Sequence, residues 1–179
     1  ELAKTAAEYE GFYTSHLRDE GDRGDPVSAI EEIIRIGREA EIPVNISHFK
    51  ILAKRFWDEG PRILEMIEEA RKEGIDVTAD QYPYRASGTG PNAWIPRWAN
   101  EGGLESLAKR LIDPDVAPDI KAGLAVSMEE RGGPEAALIA RYPLDSSKVG
   151  KTIAEVAEEW GKDPETTIFE LFKEHTLKL

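Results

Sequence analysis

Tyr13-Thr-Ser-His16, Asn45-Ile-Ser-His48 and Val77-Thr-Ala-Asp80 are three runs of strand-forming residues, each stopping at a side chain able to ligate a metal. The three ends fall 32 residues apart, at 16, 48 and 80. The first two also read alike, Ser-His-Leu-Arg at 15–18 and Ser-His-Phe-Lys at 47–50. A repeat of that length suits one strand, one helix and two loops, the βα unit of a parallel sheet or barrel. Parallel strands present functional groups at their carboxyl ends. The pattern therefore predicts an α/β fold with two imidazoles and a carboxylate on one rim.

The segments between these ends fit the same plan. Asp25 is placed to cap a helix with Pro26 at its first position, and Val27, Ile30, Ile34 and Gly37 form its apolar stripe. Ile51 to Gly60 reads as a loop with an aromatic pair, Phe56 and Trp57. Pro61 opens the next helix, striped by Ile63, Ile67 and Ala70 and ended by Gly74. Before the first strand, Leu2, Ala6 and Tyr9 share one face of a short helix closed by Gly11, so the chain is expected to open inside a βα repeat, as an internal fragment.

The rhythm breaks after Asp80. Residues 81–103 carry Tyr-Pro-Tyr, Ser-Gly-Thr-Gly-Pro and two tryptophans, Trp94 and Trp98, the make-up of a long binding or lid loop. Helices are expected over 104–112, over 115–131 with an interruption at Pro118, over 149–160 and over 164–175. A short strand is expected over 136–142, and no pattern over 176–179. This divides the chain into a partial β/α barrel (1–80), an inserted, mostly helical rim or lid subdomain (81–145) and a helical segment returning to the barrel (146–179).

Composition narrows the partners. The chain has 179 residues and a formal charge of −12, which argues against a nucleic-acid backbone or an anionic membrane surface. It is shorter than the roughly 250 residues of an ordinary complete (β/α)8 barrel. It has no cysteine, hence no thiolate ligand, and no apolar run of membrane-spanning length. A cytoplasmic setting is the expectation.

Each candidate residue carries two readings. His16 and His48 sit on neighbouring strands about 4.8 Å apart, close enough to share one ion, or they are hydrogen-bonded strand ends. Arg18 and Lys50 stand two residues past the histidines and could bind a substrate carboxylate. The competing reading of Arg18 is an ion pair with Asp19, Glu20 or Asp22. Asp80 is a ligand or base, or else caps the turn at Tyr82-Pro83. Tyr82 and Tyr84 are hydrogen-bond donors for a carbonyl or carboxylate, or packing groups. Ser87-Gly-Thr-Gly90 is a weak match to an anion cradle. His175 is expected in solvent.

Tyr13-Thr-Ser-His-Leu-Arg-Asp-Glu20, Ile42-Pro-Val-Asn-Ile-Ser-His-Phe-Lys50, Val77-Thr-Ala-Asp-Gln-Tyr-Pro-Tyr84 and Val149-Gly-Lys-Thr-Ile-Ala-Glu155 together resemble the D-aminoacylase (N-acyl-D-amino-acid deacylase) branch of the amidohydrolases. The resemblance runs from about residue 1 to 175. It implies a partial (β/α)8 TIM-type barrel, with the three strands as its fifth to seventh. It implies zinc held by His16 and His48, and an N-acyl-D-amino acid bound by Lys50 and Tyr82, with Ser87 a further match. The family's His-x-His, cysteine ligand and catalytic aspartate have no counterpart here. The chain alone is therefore expected to be inactive, with its general base elsewhere.

Two other readings stay open. One is a different specificity, for an acidic N-acyl-D-amino acid (glutamate or aspartate) or a cyclic amide. The other is a non-catalytic half-barrel that binds or assembles. A half-barrel with an uncovered apolar lining would be expected to form a homo-oligomer.

Overall fold

Asp25 starts the clearest element. Its carboxylate accepts from the Val27 and Ser28 backbone N–H groups, and Pro26 follows at the first helical position, where a missing N–H costs nothing. The computed structural model describes residues 1–21 and 24–178 and divides them into two compact units, 1–85 and 86–179. Asp22, one expected partner of Arg18, lies outside the described residues, as does Leu179.

In the first unit, helix α1 (Leu2–Ala7) precedes strand β1 (Tyr13–Ser15). Helix α2 (Pro26–Ala40), strand β2 (Val44–Ile46), helix α3 (Gly60–Lys72) and strand β3 (Val77–Ala79) follow. The strands form one parallel sheet in the order β1-β2-β3. The striped residues of α2 and α3 are buried as expected, and they pack with Val44, Ile46 and Val77. Leu2 and Tyr9 are exposed, and Tyr9, expected on the helical face, lies past the end of the short α1. The expected loop over 51–60 contains a 3-10 helix, Lys54–Glu59.

The opposite face of the sheet is polar, not the apolar lining expected of a half-barrel. Thr14, Asn45 and Thr78 form one row across it. The Asn45 amide bridges the row, donating to Thr14 Oγ1 at 3.3 Å and accepting from the Thr78 hydroxyl at 2.9 Å. These groups satisfy each other along the row.

The second unit is helical: α4 (Gly103–Ile112), α5 (Ala117–Glu130), α6 (Ile153–Trp160) and α7 (Pro164–Lys178). Leu107, Leu111, Ile120, Leu124, Val156 and Phe172 share its core. The expected boundary at 145 is therefore absent, since α6 and α7 complete the core that α4 and α5 begin. Pro118 does not interrupt α5 but sits in its first turn, where proline is tolerated. The expected strand over 136–142 reduces to a single antiparallel bridge, Leu138 to Thr152. Thr152 then caps α6 in a reciprocal box with Glu155. Residues 176–178, for which no pattern is visible, are the last turn of α7, with Thr176 buried. His175 is half-buried and faces the Tyr142 ring, with centroids 6.2 Å apart.

Candidate functional site

The row beyond the strands holds His16, Ser47 and Asp80, by continuation of the register Ser15–Ile46–Ala79. His48 lies one residue past that row. Were β2 to continue extended, its ring would join Val44 and Ile46 on the helix-covered face. It does not, because His48 adopts φ 41°, a left-handed conformation that breaks the extended run.

Asp80 holds that turn in place. Its Oδ1 accepts the His48 backbone N–H at 2.7 Å and its Oδ2 accepts the Asn45 amide at 2.8 Å. The Asn45 bond, then the His48 N–H, keep the Asp80 carboxyl below its usual pKa range. Asp80 thus caps a turn, but at His48 rather than at Tyr82-Pro83. The Asp80 carbonyl also accepts the Phe49 N–H at 2.9 Å, tying the loop after β2 to the end of β3.

The result is a facing pair of imidazoles. His16 Nδ1 is directed at His48 Nε2, with ring centroids 4.3 Å apart and planes inclined by 37°. Behind the pair, His48 Nδ1 lies 3.1 Å from Glu20 Oε1 and 2.8 Å from Lys50 Nζ. Lys50 Nζ is itself 2.5 Å from Glu20 Oε1. The Glu20 and Lys50 side chains are only 14% and 19% exposed, so this ion pair is largely removed from water.

Arg18, Tyr82, Tyr84, Ser87 and Trp94 each have their own surroundings. Arg18 forms two parallel bonds of 2.7 Å with Glu32 on α2, which holds the Glu32 carboxyl low and the guanidinium high in pKa. Its partner is Glu32, not Asp19 or Glu20. Tyr82 is half-buried and Tyr84 is exposed. Ser87 belongs to the second unit and is exposed on an irregular stretch. Trp94 packs against the second unit's core, with the Arg131 guanidinium 5.0 Å from its ring centroid.

Sequence reasoning missed Glu20 as a site residue. It stands in the first quoted stretch, four residues after His16, but read only as a possible mate for Arg18. Nothing local signals its contacts, which run across 30 residues to Lys50.

Two imidazole nitrogens converging on one point suit zinc, which favours nitrogen donors. Among the described residues, no group of three or more His, Cys, Asp or Glu is placed to hold a metal. What these residues fit is therefore a two-nitrogen share of a zinc site. No described helix is long and apolar enough to cross a membrane.

Imidazoles at the carboxyl ends of adjacent parallel strands, with helices packed on the other face, define an α/β arrangement with its candidate site on one rim of the sheet. The chain is 30% identical over 165 residues to the N-acyl-D-glutamate deacylase of Alcaligenes xylosoxydans xylosoxydans, covering 92% of this chain and 26% of that protein. It is 39% identical over 89 residues to the D-aminoacylase of the same organism, covering 50% of this chain and 18% of the relative. No protein-family profile matches.

Solved structures agree. The N-acyl-D-glutamate deacylase of Bordetella bronchiseptica, crystallised with zinc and a phosphonate mimic of the tetrahedral intermediate, superposes with TM-score 0.63 at 26% identity. That match covers 95% of this chain and 28% of the other. A D-aminoacylase described as defining a subset of amidohydrolases gives TM-score 0.58 at 28% identity, over 94% of this chain and 27% of its own. Over most of its length the chain is homologous to D-aminoacylases and N-acyl-D-glutamate deacylases, and it spans about a quarter of the length of the N-acyl-D-glutamate deacylase it matches.

Proposed function

We propose that this chain is the part of a zinc-dependent N-acyl-D-amino-acid deacylase that supplies two imidazole ligands and the lysine beside them. The observation that carries the reading is the approach of His16 Nδ1 to His48 Nε2 at the ends of neighbouring parallel strands. The finer fold assignment follows: β1, β2 and β3 correspond to the fifth, sixth and seventh strands of a (β/α)8 barrel, with the helical second unit following the seventh in sequence.

Zinc bound there would lower the pKa of a water towards about 7 and polarise the scissile amide carbonyl. This chain's residues do the rest of the work assigned to it. His16 and His48 present unprotonated nitrogens to the ion. The Asp80 carboxylate fixes the His48 backbone so that the ring faces His16 rather than the helices. The Lys50 ammonium provides a point charge for the substrate carboxylate, and the half-buried Tyr82 a phenol donor. Arg18 pairs with Glu32 on α2, so this reading gives the substrate contacts to Lys50 and Tyr82. No described residue is assigned as general base, so turnover is not expected of the 179-residue chain alone.

The test is zinc affinity, measured by competition with a chromophoric chelator. The chain should bind zinc, and a His16→Ala/His48→Ala double variant should lose that binding. Equal affinity in the two proteins would refute the metal reading and favour a non-catalytic half-barrel. Hydrolysis of N-acetyl-D-methionine by the isolated chain would overturn the assignment of the base to another part of the protein.

A further inference from the structure

The inference drawn here rests on the reading of His48 as a ligand and concerns what readies it for that role. A neutral imidazole carries one N–H, so its two nitrogens compete for a single proton. Only the unprotonated nitrogen can ligate. At His48 the nitrogen facing His16 is Nε2, so the ligating state needs its proton on Nδ1.

Lys50 opposes that state. Its Nζ lies 2.8 Å from His48 Nδ1, and an ammonium can only donate. With Lys50 as the sole neighbour, Nδ1 would accept and the proton would sit on Nε2, closing the ring to a metal. Glu20 reverses the balance. Its Oε1 lies 3.1 Å from the same Nδ1 and 2.5 Å from Lys50 Nζ, and a carboxylate can only accept. One oxygen can therefore take the Nδ1–H and the ammonium together. Lys50 has a further acceptor in the His48 carbonyl oxygen, at 3.3 Å, so it can turn from the ring without losing its partners.

We infer that Glu20 is a positioning residue that offers the acceptor for a proton on His48 Nδ1 and pairs with the competing Lys50 ammonium, leaving Nε2 free to ligate. Carboxylates behind metal-bound histidines tune affinity in this way, with losses of about 10- to 100-fold on removal. What this arrangement adds is a built-in competitor, so removing Glu20 both deletes the acceptor and releases the opposing donor.

The test uses the 179-residue chain with 15N-labelled histidine, zinc-free, above the usual histidine pKa of about 6.5. Ring-nitrogen shifts should show a larger Nδ1–H share at His48 in the wild type than in Glu20→Ala. Zinc affinity should fall about 10- to 100-fold in Glu20→Ala. Adding Lys50→Met to Glu20→Ala should recover most of that affinity, because the competitor is gone. A purely structural role for Glu20 predicts no such recovery, since losing a second side chain cannot repair a collapsed loop. An unchanged tautomer ratio in Glu20→Ala, or affinity that Lys50→Met does not recover, overturns the inference. Failure of the metal reading is a separate result, seen as zinc affinity indifferent to His16 and His48, and the zinc-free tautomer ratio still decides the role of Glu20.

Discussion

At Gly37 helix α2 packs tightly against Val44 of the sheet, and replacing this glycine with alanine tests the packing that holds β2, and so His48, in place. A Cβ there would stand 2.9 Å from Ile75 Cγ2, 3.1 Å from Val44 Cγ1 and 3.4 Å from the Ile42 carbonyl oxygen. Two effects oppose each other. Alanine gains up to about 1 kcal/mol in helix propensity over glycine, and less near a helix end such as this one. Overpacking a filled core costs about 1–3 kcal/mol. Val44 is 1% exposed at the centre of the sheet and cannot withdraw, whereas the half-buried Ile75 can swing outward at modest cost. The clash therefore wins by a small margin, and Gly37→Ala should destabilise the first unit by about 1 kcal/mol. Urea unfolding followed at the backbone amide signals of α2 and β2 reads this unit without a contribution from the second. Ile75→Leu removes the offending γ2 methyl, so in the Gly37→Ala background it should return about 0.5–1 kcal/mol relative to its effect in the wild type. A Gly37→Ala protein more stable than wild type, with no coupling to Ile75, would show that helix and sheet are not in this contact.

Three further outcomes follow from the same structure. Asp25→Ala should cost about 1 kcal/mol through loss of the α2 cap, measured by urea titration. The Ser28 hydroxyl, with the Val27 and Ser28 N–H groups, holds the Asp25 carboxyl below its unfolded value, so this contribution is present above about pH 4 and is lost as pH falls through the folded pKa. The acid limb of the stability–pH curve should accordingly be shallower in Asp25→Ala, and an unchanged limb would contradict the cap. Leu124→Ala, at a site 1% exposed in the second unit's core, should cost about 2–5 kcal/mol, read from α5 amide signals in urea. Thr14→Val/Asn45→Leu/Thr78→Val turns the polar row of the sheet apolar and should shift sedimentation towards larger species, while identical profiles would show that this face does not limit self-association.

The features legible in the sequence are those set by local chemistry. The α2 cap, the apolar stripes of α2 and α3, and the strand-forming runs each depend on residues a few positions apart, and the structure places them as read. Features that depend on what the chain meets far away were not legible. The run 136–142 has strand-forming residues but finds only Thr152 as a bridge partner, and one bridge does not make a strand. Glu20 reads as one of several acids in a charged loop until folding brings Lys50 and His48 to it. The same holds for the sheet's open face, where the polar row was visible as Thr14, Asn45 and Thr78 but only the register makes them neighbours.

The histidines show how a correct spacing can stand for a different geometry. An interval of 32 suggests that His16 and His48 occupy equivalent strand positions, yet the register offset from β1 to β2 is 31, as Tyr13 pairs with Val44. From β2 to β3 it is 33, as Val44 pairs with Val77, so the two shifts cancel and restore the apparent period at Asp80. His16 and Asp80 share a row, and His48 overshoots it by one. In a two-residue alternation, one residue too many puts a side chain on the wrong face. The left-handed turn at His48 undoes that error, and histidine is among the few non-glycine residues enriched there. The Asp80 carboxylate, in the row that His48 has overrun, accepts the N–H that this turn exposes. The third strand end thus serves the imidazole pair by shaping the backbone of one member, and the regular spacing of the three ends follows from that arrangement rather than from three equivalent ligands.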